Sequence, residues 1–458
     1  MGSSTFGYVT PENLALFTDL YELTMLQGYH EAGHEPRATF DLFFRSLPPD
    51  RGYAVVAGVE QALRYVTDLS FGDRALAYLE AKGFHGDFLD RLSSFEFTGD
   101  VRAMPEGTAV FPNEPMLEVE GPLFEAQLFE TALINQVGFQ TLVATKAARM
   151  RDAVDRNGGD QTLVDFGSRR AHGTDAGVKA ARAAYVGGFD GTSNVAAGEL
   201  FDLPVYGTMA HSWVQSFPSE REAFEAFVSV YGSESVLLVD TYDTVEGTRL
   251  AMDVAAAEGV DVAGVRLDSG DLVALSKEVS EFFDGDVFVS SGVDEYEIDR
   301  FLREGGLADG FGPGTALTTS TDAPKLEAVY KLVGVERDGE MRPSMKLSTG
   351  KVTYPGAKSV RRVERDGRFE RDVLAERGED APGEELLETV VADGEAVADP
   401  PSLDDARARR AANLSKLPEG VRALRSPEAY PVETSEGLDA TTGTVRAELE
   451  EMVRDRTR

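Results

Sequence analysis

The chain has 458 residues, 42% of them hydrophobic, which is too long for one small core and enough for two or three domains. Its 80 acidic residues against 45 basic ones give a formal charge of -35, which excludes a general nucleic-acid binder or a protein held on anionic membranes, since both need a positive surface. There is no cysteine, which excludes disulfides, thiolate nucleophiles and cysteine-ligated zinc, so no zinc is expected and any metal must be held by oxygen or imidazole.

Such an acidic surface suits a cell of high internal salt, where screening suppresses self-repulsion. No run of 18 apolar residues appears, and Met1 to Phe6 lack a basic stretch followed by an apolar one, so a cytoplasmic protein is expected.

Leu14, Phe17, Leu20, Tyr21 and Met25 recur at helical spacing, predicting an amphipathic helix from Asn13 to His30. Ala38 to Phe44 and Tyr53 to Val59 read as strands, Val101 to Glu120 as short strands broken by prolines and glycines, and Phe124 to Val154 as a long helix. These make a mixed α/β domain over residues 1–157. After Gly158-Gly159 short apolar runs alternate with helical patterns, the mark of βα units with a parallel sheet. The runs end at Asp165, near Tyr206, at Asp240, at Asp268, at Ser291 and near Phe311. Catalytic groups gather at strand carboxyl ends in such sheets, and no G-x-G-x-x-G motif follows the first strand, so an irregular α/β barrel over 158–335 fits better than an open doubly wound sheet. The tract Arg361 to Asp399 is polar and reads as a surface hairpin or loop. Helical patterns return at Leu403 to Leu417 and Thr444 to Val453, and residues 336–458 are expected to pack back on the first domain, making it discontinuous.

His211, one of five histidines, stands beside the only tryptophan, Trp213, in Gly207-Thr208-Met209-Ala210-His211-Ser212-Trp213. A neutral imidazole can act as base, ligand or phosphoryl acceptor. Phe311-Gly312-Pro313-Gly314-Thr315 and Ser290-Ser291-Gly292-Val293-Asp294 are small, polar, glycine-bearing loops at adjacent strand ends, a pairing that can cradle phosphate. Arg266-Leu267-Asp268-Ser269-Gly270-Asp271 puts a cation and a carboxylate on one side of a strand end. The carboxylates ending these runs would repel one another without a cation between them, and oxygen-only chemistry points to Mg2+ bridged to substrate phosphates. Asp165-Phe166-Gly167-Ser168-Arg169-Arg170 adds an aromatic face and guanidinium groups able to stack a planar ring and fork its carboxylate. His172 is expected inside the following helix, without a role.

Taken in order, these segments, with Phe17 to Leu23, Gly191-Thr192-Ser193-Asn194 and Asp240-Thr241-Tyr242-Asp243, resemble the nicotinate phosphoribosyltransferase family over roughly residues 10–360. The resemblance implies a type II phosphoribosyltransferase-like barrel that joins nicotinate to phosphoribosyl pyrophosphate in NAD salvage, with ATP as co-substrate and Mg2+ as cofactor. By motif match His211 would be the phosphohistidine. Phe166 and Tyr21 would sandwich the pyridine ring, Tyr21 coming from the partner of a homodimer. Arg169, Thr208 and Arg266 would hold the carboxylate; Asp240 and Asp268 would serve ribose and metal. Ser291, Gly292, Gly312, Gly314, Thr315 and Lys325 would bind phosphate. With the acidic surface, the resemblance suggests a halophilic archaeon. A nicotinamide phosphoribosyltransferase is the nearest alternative, but it carries an aspartate where Ser193 stands, and an aspartate would repel a carboxylate. A quinolinate-type transferase lacks the histidine motif; a sugar-phosphate lyase or isomerase would want a Schiff-base lysine or a base–acid pair in the rim, and the rim offers no such lysine. A non-catalytic nicotinate sensor would have no need of the catalytic positions kept here.

Overall fold

The computed structural model describes residues 9–347 and 353–456. Met1 to Phe6 therefore lie outside the described residues. The chain divides into two compact units, one made of residues up to Leu142 with those from Lys325 onward, the other of Val143–Pro324.

In the first unit an antiparallel sheet runs in the order Glu340–Pro343, Ala328–Arg337, Arg37–Phe44, Leu117–Pro122, Asp100–Ala103, Glu388–Ala392, Glu395–Ala396. Leu42, Phe44, Val101, Leu117 and Val119 are buried in it, and Phe40 stacks on Tyr330 with ring centroids 4.8 Å apart. The expected barrel extended to residue 335. Strand Ala328–Arg337 instead pairs with Arg37–Phe44, which places it in this sheet. At the other end the division falls inside the helix Glu130–Asp155, not at the glycine pair 158–159. Tyr53 to Val59 forms only a two-residue strand, Ala54–Val55, before a helix opens at Val59. The tract 361–399 does contain a hairpin, Lys358–Arg365 with Arg368–Glu376, but it is a structural layer of its own: Val360, Leu374 and Ala375 are fully buried, and Val432–Thr434 adds a parallel strand.

The second unit is α/β with a parallel sheet, in the order Gly191–Thr192, Thr162–Asp165, Gly310–Gly312, Asp286–Ser290, Gly264–Leu267, Val236–Leu238. Val205 bridges Thr192 in parallel, adding a seventh run. Followed round, the runs succeed one another in chain order and the last pairs with the first, as a barrel requires. Ring closure fails only between Val205 and Val236, where no backbone pairing joins the described residues; hence the irregular barrel. Helices return the chain between strands, and Phe224, Val228, Val254, Val265 and Val279 pack into one core behind the sheet. Asp243, Asp271 and Asp294 each accept backbone N–H bonds at the start of the following helix. His172 lies in a bend before the helix Thr174–Val186, with Gly173 at φ 134° starting that helix.

Candidate active site

His211 opens the helix His211–Ser216, and the tryptophan two residues on explains how that short helix is held. Trp213 donates from Nε1 to the Ala223 carbonyl at 3.0 Å and packs on Phe217 and Phe227, so it is a core anchor that fixes where His211 stands. The imidazole is 39% exposed. Its Nδ1 lies 3.2 Å from Thr241 Oγ1, and its Nε2 lies 4.0 Å from Asp240 Oδ1 and 3.8 Å from Asp268 Oδ2.

Each carboxylate has one oxygen fixed and one free to face the ring. Asp240 Oδ2 accepts from Ser269 Oγ at 2.6 Å and from the Asp268 backbone N–H at 3.2 Å. Its other oxygen is buried with no hydrogen-bond partner. Asp268 Oδ1 accepts from Ser290 Oγ at 2.5 Å. A buried unpaired carboxylate oxygen is costly unless a ligand or cation completes it, so this is where the site asks for a partner.

The crowding of rim carboxylates expected from sequence is smaller than it looked. Asp243, Asp271 and Asp294 are spent as helix caps. Asp165 is buried, accepting from the Gly167 N–H at 2.8 Å and from Thr192 Oγ1 at 2.9 Å; burial raises its pKa, and those bonds lower it. Among the described residues only Asp240 and Asp268 face His211, and no three His, Asp or Glu side chains gather to hold a metal.

Arg266 donates to Thr208 Oγ1 at 2.7 Å, tying the loop after Val205 to strand Gly264–Leu267 across the open side of the barrel. Burial lowers its pKa; Asp268 and Asp240 oppose that, while Arg169 adds to it. Its Nε is buried and unpartnered, and its guanidinium sits 5.9 Å from the Phe166 ring centroid. Phe166 is pinned by its N–H on the Pro313 carbonyl at 2.9 Å. Arg169 is exposed on the turn Ser168–Arg170. Ser193 donates from Oγ to the Asp165 carbonyl at 3.0 Å. Together these bring the Phe166 ring, Arg169, Ser193 and Thr208, from the loops after three neighbouring runs, towards Arg266 of the strand Gly264–Leu267.

Ser291 and Gly292 both take positive φ, 72° and 65°, and are exposed. Gly312 ends a buried strand, Gly314 follows, and Thr315 begins the short helix Thr315–Thr318. The two loops follow adjacent, paired strands, Asp286–Ser290 and Gly310–Gly312. Two expected residues belong to the other unit. Lys325 is 72% exposed there and pairs with Glu327 at 2.8 Å, and Tyr21 is 46% exposed on the helix Leu20–Ala32.

Sequence reasoning passed over Thr241, Ser269 and Ser290 as functional side chains although it quoted all three in motifs. Proximity across the fold, not spacing, marks them.

Residues 16–138 match the nicotinate phosphoribosyltransferase N-terminal domain, 161–374 the nicotinate phosphoribosyltransferase family domain, and 375–442 the C-terminal domain. The chain belongs to the nicotinate phosphoribosyltransferase family. It is 44% identical to a nicotinate phosphoribosyltransferase of Mycobacterium tuberculosis over 435 residues, covering 93% of this chain and 92% of that one. A Bacillus subtilis nicotinate phosphoribosyltransferase is 41% identical, at 93% and 94% coverage. Human nicotinic acid phosphoribosyltransferase superposes with a TM-score of 0.82 at 31% identity, covering 93% of this chain and 99% of that one. The structure titled nicotinate-nucleotide pyrophosphorylase from Pyrococcus furiosus gives 0.73 at 25%, covering 90% and 99%. Among the described residues no helix is long and apolar enough to cross a membrane.

Proposed function

We propose that this chain joins nicotinate to the ribose of phosphoribosyl pyrophosphate, releasing pyrophosphate for NAD salvage, and that ATP drives the transfer through phosphorylation of His211. The observation that carries the reading is His211 set between Thr241 and the facing oxygens of Asp240 and Asp268. The histidine is solvent-reached yet fixed, which suits a nitrogen that takes the γ-phosphoryl of ATP as ADP leaves, and then loses it to water.

Phosphoribosyl transfer itself needs little covalent help. The C1–oxygen bond to pyrophosphate breaks with its electron pair, and the pyridine nitrogen lone pair forms the new C1–N bond. Asp240 and Asp268 stabilise the positive character that develops at C1 between these events. Phe166, with Tyr21 contributed by the partner of a homodimer, stacks the pyridine ring. Arg266, Arg169 and Thr208 hold its carboxylate, and Ser193 leaves the charge unopposed where an aspartate would repel it. Loops at Ser291-Gly292 and Gly312 to Thr315, with Lys325, receive the phosphates.

Magnesium fits the donor set: the unpartnered Asp240 oxygen and Asp268 Oδ2 are hard donors that would hold it, and substrate phosphates would complete its shell. When bound it offsets the charge of the leaving pyrophosphate. Its -35 charge suits the cytoplasm of a salt-rich cell, where that charge would be screened.

The direct test is incubation in molar salt with phosphoribosyl pyrophosphate, Mg2+, ATP and either pyridine. Nicotinate mononucleotide is the expected product, formed faster with ATP. Preference for nicotinamide would refute the specificity reading.

A further inference from the structure

We infer that Thr241 is a positioning residue for His211, holding the imidazole in the orientation from which it accepts phosphate. Two consecutive residues grip opposite sides of one ring: Asp240 faces Nε2 and Thr241 bonds Nδ1. That grip is rigid because the segment is fixed at both ends. Asp240 is locked by Ser269 Oγ and the Asp268 N–H, while Asp243, two residues past Thr241, caps the helix Thr244–Glu258 through the Glu246 N–H at 2.9 Å.

On the histidine side, the helix His211–Ser216 is held by Trp213, which fixes the backbone but not the ring's rotation about its second torsion. Terminal torsions of this kind are broad and roughly two-fold, so without a bond at one nitrogen the imidazole can turn over and exchange Nδ1 for its opposite edge. Thr241 supplies the bond that removes that freedom. A hydroxyl serves the neutral ring whichever nitrogen carries the proton, because it both donates and accepts. A carboxylate or an amine at this position could serve only one tautomer.

The kinetic consequence rests on the phosphohistidine reading above; the geometric consequence does not. Thr241→Val keeps the shape and removes the hydroxyl, whereas Thr241→Ser keeps the hydroxyl. In nitrogen-15 spectra of metal-free protein, the His211 ring nitrogens, assigned by their loss in His211→Ala, should keep their native shifts in Thr241→Ser and move in Thr241→Val, where the hydrogen bond to Nδ1 is gone. ATP-stimulated product formation should fall about tenfold in Thr241→Val, the worth of one lost hydrogen bond, with the KM for nicotinate within twofold of native, and return in Thr241→Ser. A Thr241→Val spectrum identical to native, or a Thr241→Ser enzyme as impaired as Thr241→Val, overturns the assignment. If His211→Ala kept its ATP stimulation, the phosphoryl-acceptor reading would fail by itself, and the spectra would still decide for or against Thr241.

Discussion

A Cβ placed on residue 312 would lie 2.4 Å from Phe166 Cδ2, so the Phe166 ring rests directly on the Gly312 backbone. The strand-end glycine is thus a seat for the proposed stacking ring, in addition to any part it has in phosphate binding. Gly312→Ala must push Phe166 aside, since the ring is rigid and its own N–H is tied to Pro313. Steady-state assays should show the KM for nicotinate raised about tenfold or more, with a smaller effect on phosphoribosyl pyrophosphate. Equal effects on both would mean that the glycine serves the phosphate loop alone.

Lys146 is 1% exposed, with Nζ 2.6 Å from Glu295 Oε2 and 2.7 Å from Asp322 Oδ1; Glu295 also meets Arg149 Nε at 3.0 Å. Glu295 opens the helix behind Ser291-Gly292, and Asp322 follows the Gly312 to Thr315 loop, so one buried cation braces both candidate phosphate loops. Lys146→Met leaves the fully buried Glu295 short of a counter-charge, and chemical denaturation should report a loss of about 3–5 kcal/mol. A loss under 1 kcal/mol would mean that Arg149 alone suffices.

Glu22, beside Tyr21, is fully buried, and its carboxyl is pushed up to about 7 by that burial, against the lowering effect of the Gln127 amide that donates to it at 2.8 Å. A carboxyl whose folded pKa exceeds its unfolded one favours folding when protonated. Stability should therefore fall as pH rises from about 4.5 to about 7, by roughly 3 kcal/mol for this group, and level off above. Glu22→Gln should lose that part of the slope in thermal melts taken across the window. Parallel curves for native and variant would assign the slope to other groups, Asp41 among them.

Most of the barrel was legible because each strand end carries a chemically loaded residue: Asp165, Asp240, Asp268, Ser291 and Phe311 mark the right boundaries. The ordered motifs then pointed to the family. Other features needed the fold. Ala328–Arg337 was assigned to the barrel because nothing local reveals that a strand pairs with another nearly 300 residues earlier. Asp243, Asp271 and Asp294 stand in the same motifs as the site residues, yet each caps a helix, and an Asp just before an apolar helical pattern is the signal for that. Thr241 and Lys146 have no sequence signature at all: one matters because His211, 30 positions earlier, folds against it, the other because two loops converge on its ammonium.

Phosphate on His211 tests the account most directly. Protein incubated with γ-labelled ATP and Mg2+, then digested at alkaline pH to preserve a phosphoramidate, should carry label on the peptide containing His211, and phosphoribosyl pyrophosphate with nicotinate should discharge it. His211→Ala should take no label and form nicotinate mononucleotide slowly, at a rate that ATP does not change. Label elsewhere in the chain, or ATP stimulation that survives in His211→Ala, would contradict the account.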